Sequence, residues 1–177
     1  MGLNYRNLDE RTRNLMLAEI ERDIAASTLF LSDNLNPQGR IDYPKLIRKA
    51  GISGSDVTLA ADISSRLNPC EKPRQLKSGK LSKPPVMRSN AHEMLAEGEF
   101  NRFYIRAICL RAIEDGISEV VVYRAKSVQH ARAESERKIG QRIPAEPLLR
   151  DLREHPGVDT ALGLPPGPNS GLSVQLP

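Results

Sequence analysis

The sequence predicts a mainly helical α+β protein with a small sheet and extended arms rich in proline and glycine. Three observations lead there. Two long segments place apolar residues at helical spacing, Asp9–Ala26 and His92–Gly116. One run, EVVVYRAKSV from Glu119 to Val128, is β-branched and reads as a strand. Two other stretches hold proline too densely for either element: NPCEKPRQLKSGKLSKPPVMRSN (Asn68–Asn90) and GLPPGPNSGLSV (Gly163–Val174).

The first helix is expected near Asp9, where Asp9 and Glu10 suit the positive end of a helix dipole. Leu15, Leu17, Ala18, Ile20 and Ile24 form its apolar side. Ser27–Ser32 (STLFLS) is β-like, and Pro37 and Gly39 then punctuate the chain. A second helix is expected at about Tyr43–Ala50, closed by Gly51. Ser53–Asp56 offers a cap for a third, about Asp56–Leu67. The second pair resembles a helix-turn-helix only loosely, with few basic residues on its second helix.

The segment Asn68–Asn90 carries four prolines, one glycine and no periodicity, so it is expected to be extended. From Phe100, the next helix is apolar over so much of its girth that it belongs at the centre of a core. Glu99, Arg102 and Arg106 make its charged face. In the strand, Val121, Tyr123 and Ala125 point one way, and Val120, Val122, Arg124 and Lys126 the other. A lone strand needs partners. The candidates are Thr28–Leu31 and the alternating tail Leu172, Val174 and Leu176, which reads as a docking strand for its own sheet or a neighbour's. Pro165, Pro166 and Pro168 stiffen its approach, and Asn169–Gly171 offers a turn. Ala133–Ile139 and Glu146–Glu154 read as short helices. The resulting organisation is a helical module over 1–67, a basic linker or arm over 68–91, an α/β core over 92–160 and a docking arm over 161–177.

The net charge of +4 is local in origin. Between Arg66 and Arg88 the chain places Arg66, Lys72, Arg74, Lys77, Lys80, Lys83 and Arg88 against a single acid, Glu71. Such a strip suits nucleic acid or an acidic protein surface. There is no tryptophan, and the strip has no interleaved aromatics for stacking bases. Cys70 and Cys109 make neither a disulfide framework nor a zinc spacing. No run reaches the ~18 apolar residues a membrane span needs, so the expected location is cytoplasmic at synthesis, with no membrane partner.

No catalytic or metal constellation stands out, and no cofactor is expected. Neither GPNSGLSV nor Ser78–Ser82 (SGKLS) completes a phosphate loop, since one lacks the lysine and the other the leading glycine and the final Ser/Thr. His92, His130 and His155 are scattered. Glu134 and Glu136 lie two apart and would not share a helix face. An enzyme would have to use Arg102, Arg106, Arg124 and Lys126 as an anion-binding or ion-pairing face, with Glu134 or Glu136 beside it.

The strings LAEGEFNRFYIRAICLRAIEDG, VYRAK, ARAESERKIG and LGLPPGPNSGLSV together resemble a family of uncharacterised proteins found in bacterial and prophage-like gene sets. The resemblance implies a phage-associated context and no activity. The basic segment and the tail cannot build a core of their own, so the expectation is a structural or interaction protein that docks through these extended arms, a subunit of a larger assembly such as a virion, whose partners are other protein subunits. The alternative is a nucleic-acid-binding module using the basic strip.

Overall fold

The first three helix starts in this chain follow the side chains that can accept the otherwise unpaired first amides. The computed structural model describes residues 2–127, 133–156 and 171–177. Asp9 caps α1 (Glu10–Ala25) by accepting from Thr12 N at 3.0 Å. Asn36 caps α2 (Pro37–Ser53) by accepting from Gly39 N at 2.7 Å. Helix α2 therefore starts several residues before the expected Tyr43. Pro37 sits in the first turn, where a missing N–H costs nothing, and there it opens the helix instead of breaking it. Ser55 and Thr58 form a reciprocal capping box on α3 (Asp56–Ile63), and a 3₁₀ turn at Ser64–Arg66 follows.

The β-like reading of Ser27–Ser32 is not realised, and Thr28–Leu31 is not a strand. Ser27 adopts φ 58° and ends α1 sharply. Thr28 N and Leu29 N both donate to the Asp23 carbonyl, at 2.8 and 3.1 Å. These amides cap the end of α1, so they cannot join a ladder.

The centre of the molecule is α4 (Ala91–Glu114), which packs against α1, α3, α6 and the sheet. Phe100, Phe103, Tyr104, Ala107, Ile108, Cys109 and Ala112 are all fully buried along it. One hydrophobic cluster runs from Met16 on α1 to Val174 near the C-terminus, so the 1–67 helices share their core with α4 and the sheet. Burial raises the Cys109 thiol to about 12, whereas Cys70 is half-buried in the arm segment. Among the described residues, no helix is long and apolar enough to cross a membrane.

Among the described residues the sheet has three antiparallel strands in the order β2-β1-β3: β1 is Glu119–Arg124, β2 Arg142–Pro144 and β3 Leu172–Gln175. The short β2 takes the place expected for Thr28–Leu31, between α5 (Ala133–Lys138) and α6 (Ala145–Glu154). The tail strand pairs within its own chain, with Val122 opposite Val174 and Arg124 opposite Leu172. Val120, Val122, Leu172 and Val174 enter the core, as the alternation requires. The N-terminal segment covers Tyr123, whose hydroxyl donates to the Asn4 carbonyl at 2.6 Å while the Arg6 guanidinium lies 4.5 Å from its ring centre. The proline lead-in at Pro165, Pro166 and Pro168 lies outside the described residues.

Gly171 makes the last connection. Its carbonyl accepts from Ala125 N at 2.7 Å, its φ is +60°, and an added Cβ would lie 2.6 Å from the Lys126 carbonyl oxygen. Only glycine satisfies both the dihedral and the close approach. Gly171→Ala is expected to cost ~2–3 kcal/mol and to lower the thermal midpoint by roughly 4–10 °C. A circular-dichroism melt reads this, and an unchanged midpoint would show that β3 does not depend on this glycine.

Candidate functional site

The basic segment is not the structureless strand that its composition suggests. Its two limbs fold back on each other as an irregular hairpin arm. Isolated bridges join Cys70 to Val86 and Gln75 to Leu81. Backbone bonds run from Glu71 N to the Pro85 carbonyl, from Met87 N to Pro69 and from Ser82 N to Arg74, each 2.8–2.9 Å long. Four prolines remove donors from both limbs, and Arg74 N donates to the Ser82 hydroxyl instead of a backbone carbonyl, so no continuous ladder forms. At the tip, Gly79 N donates to the Leu76 carbonyl at 2.9 Å and Leu76 N to the Lys80 carbonyl at 2.8 Å, with Gly79 at φ +78°. This is a three-residue hairpin loop with glycine in the left-handed position. The Gly79-Lys80 pair that resembles part of a phosphate loop is thus a turn.

The arm sorts its own charges. Arg66 Nε donates to Asp42 at 2.8 Å, and Lys72 reaches Asp33 at 2.7 Å. Glu71 accepts from Arg88 at 2.7 Å and from Arg74 at 3.3 Å; the Arg88 hydrogen bond chiefly holds its carboxyl below the usual range. Lys77, Lys80 and Lys83 have no carboxylate within ion-pair distance among the described residues, and all three are exposed. Beside them, Leu81 and Val86 are 69 % and 80 % exposed, and Leu76 is also open. No residue between 68 and 90 belongs to the hydrophobic core cluster.

The four cations expected to line one anion face do not share one. Arg106 is fully buried and held by acids that the sequence does not bring near it. Its Nε donates to Glu19 at 2.7 Å, and its two Nη atoms reach Asp23 at 2.6 and 2.8 Å. Arg153 from α6 completes the set on Glu19, at 2.5 and 3.0 Å. Arg102 pairs with Glu99 one turn away, and its guanidinium lies near Phe30 and Phe103, 5.8 and 5.5 Å from their ring centres. Arg124 and Lys126 leave the end of β1 in other directions, towards Glu136 at 2.6 Å and towards Glu97. Each cation is matched by a carboxylate of this chain. The charged face of α4 (Glu99, Arg102 and Arg106) therefore points inward, since burial decides its role.

Two carboxyls in this centre shift in opposite directions. Burial pushes Glu19 up, but hydrogen bonds and charge from Arg153 and Arg106 outweigh it and hold the group below its usual value. Burial pushes Glu99 up, and Arg102 offsets that only in part. The signal for the centre was the pair Glu19 and Asp23, four apart on α1 beside the buried Met16 and Ile20. Acids at that spacing on an apolar side require a buried cation.

A concavity of about 220 Å³ lies between the N-terminal segment, α3 and α4, lined in part by Asp56, His92, Glu93 and Glu97. Burial raises the Asp56 carboxyl although it accepts from Leu3 N at 2.9 Å. Among the described residues, no group of His, Cys, Asp and Glu is arranged to hold a metal ion. His155 sits against Asp151 on α6, and His130 lies outside the described residues. Glu134 and Glu136 are exposed on the short α5. Comparison of the chain with protein-family models, with curated proteins and with solved structures returned no match.

Arg106→Met is expected to cost ~3–5 kcal/mol, because it leaves Glu19 and Asp23 buried beside an apolar chain. The acid limb of the stability profile tests the same centre. The folded-state pKa of Glu19 is depressed, so its contribution is complete above the unfolded value of 4.5 and is lost as pH falls through the lower folded value. Urea melts from pH 6 downward read this slope, and Glu19→Gln should flatten it.

Proposed function

We propose that this chain is a structural interaction protein, a subunit of a larger assembly of the virion kind, and not an enzyme. It engages its partner through the arm at 68–90. The observation that carries this is the arm itself. The arm contributes nothing to the hydrophobic core, yet it is shaped by a glycine turn and by paired charges at its base. Its outer part bears Lys77, Lys80 and Lys83 without acids, next to exposed Leu76, Leu81 and Val86. An exposed two-stranded ribbon is marginal alone and gains order when it lies on a second surface. The lysines give that surface its chemistry, which is anionic.

The tail strand β3 closes its own sheet, which leaves the arm as the docking element of this reading. The three arginines and Lys126 offered for an anion-binding enzyme are matched by Glu19, Asp23, Glu99, Glu136 and Glu97. Their arrangement supports an interior scaffold rather than a substrate site.

Replacing residues 73–83 with a short Gly-Ser link should leave the thermal midpoint within roughly 2 °C of the full chain, since no core contact is removed. It should also lower the salt needed to elute the protein from a sulfated polyanion resin. Light scattering of the full chain mixed with a soluble sulfated polyanion should show larger species that the trimmed chain does not form. If the trimmed chain unfolds, or behaves identically on the resin and in scattering, the arm is not a docking element.

A further inference from the structure

We infer that the anionic partner of the arm is duplex DNA, with the hairpin lying in the major groove. The inference rests on the docking reading above and makes it specific. Three features of the arm select this partner. The first is width. A two-stranded antiparallel ribbon is one of two protein elements that the B-form major groove, about 12 Å wide, admits.

The second feature is the placement of charge. The four cations near the body are paired with Asp42, Asp33 and Glu71, the last shared by Arg74 and Arg88, while Lys77, Lys80 and Lys83 at the outer end have no such partner among the described residues. The free positive charge therefore sits in the turn, at Lys77, and along the returning limb, at Lys80 and Lys83, the part of a ribbon that meets phosphates first as it enters a groove. An acidic protein surface would be served equally well by cations at the base, which here are already occupied.

The third is what accompanies the charge. Leu76 and Leu81 flank the turn, and Val86 follows on the returning limb, all open to solvent. Short aliphatic side chains at the end of a ribbon suit the floor of the major groove, where thymine presents a methyl group. No aromatic residue lies between 68 and 90, so the arm lacks the stacking platforms that single strands require. The deep, narrow major groove of duplex RNA would not admit the ribbon. The inference concerns a sequence-tolerant contact made mainly with phosphates.

Fluorescence anisotropy with a labelled DNA duplex of about two helical turns, on the full chain, tests this. Three phosphate contacts predict a slope of roughly −2.7 in log affinity against log salt, an approximately 40-fold weakening between 50 and 200 mM. Each of Lys77→Gln, Lys80→Gln and Lys83→Gln should reduce that to roughly 12-fold, since each removes about 0.9 from the slope. Leu81→Ala should weaken binding without changing the slope. Thermal midpoints should not move for any of the four variants, whose side chains lie outside the core.

Duplex RNA, single-stranded DNA and poly-glutamate serve as the other probes. Preferential binding of duplex DNA with the stated salt dependence supports the inference. Equal binding of duplex RNA or single-stranded DNA overturns the groove assignment. Binding of poly-glutamate but not of duplex DNA, lost with the same lysines, overturns the DNA inference and leaves the docking reading intact. If no probe binds at 50 mM salt, both fall.

Discussion

Arg106 has no water to turn to. Its side chain is fully buried in α4, so every charge-stabilising contact must come from the protein. Asp23 takes two of its nitrogens and Glu19 a third, and both acids stand on α1. Glu19 then accepts from Arg153 on α6. One buried cation thus fixes three helices relative to each other. The result is a matter of register more than of strength, because a buried ion set is seldom better than apolar residues of equal volume. Leucines in these positions would let one helix slide along another at little cost. The directional bonds to Glu19 and Asp23 do not.

The N-terminal segment depends on the frame this creates. Once α4 is placed between α1 and α3, residues 3–7 lie across the sheet and bond to it and to both neighbouring helices. Leu3 N donates to Asp56 on α3, Asn4 N to the carbonyl of Ala125, and Asn7 N to the Tyr104 hydroxyl on α4. Tyr5 fills the space beneath, with its ring 5.1 Å from Phe100 and 4.8 Å from Tyr104. In this way a stretch without secondary structure covers one side of a three-stranded sheet, a sheet too small to stand with a face open to water.

Local signals were legible in the sequence where local physics decides. The girth of apolar residues from Phe100 placed α4 at the centre, the Val120–Tyr123 run gave β1, and the alternation at Leu172, Val174 and Leu176 gave its partner. What stayed hidden depends on contacts far apart in the chain. Thr28–Leu31 has β propensity, but the Asp23 carbonyl claims its amides. Arg142–Pro144 is too short to carry a period, and it becomes a strand because β1 lies beside it. Arg102 and Arg106 looked alike on their helix. Only Glu19 and Asp23, more than eighty residues away, make Arg106 a structural centre. The arm was recognisable as a separate basic segment, whereas its hairpin form depends on sparse pairing that proline obscures.

The burial of α4 also divides the two thiols of the chain. Cys109 is sealed within the apolar cluster, with its thiol raised to about 12, so almost none of it is the reactive thiolate at neutral pH. Cys70 stands half-open at the root of the arm, bridged to Val86. The wild-type chain therefore carries a natural single-site attachment point. A maleimide dye or spin label would join the protein at the pivot between body and arm. It would report on the arm's orientation without any engineered cysteine and without disturbing the helices behind it.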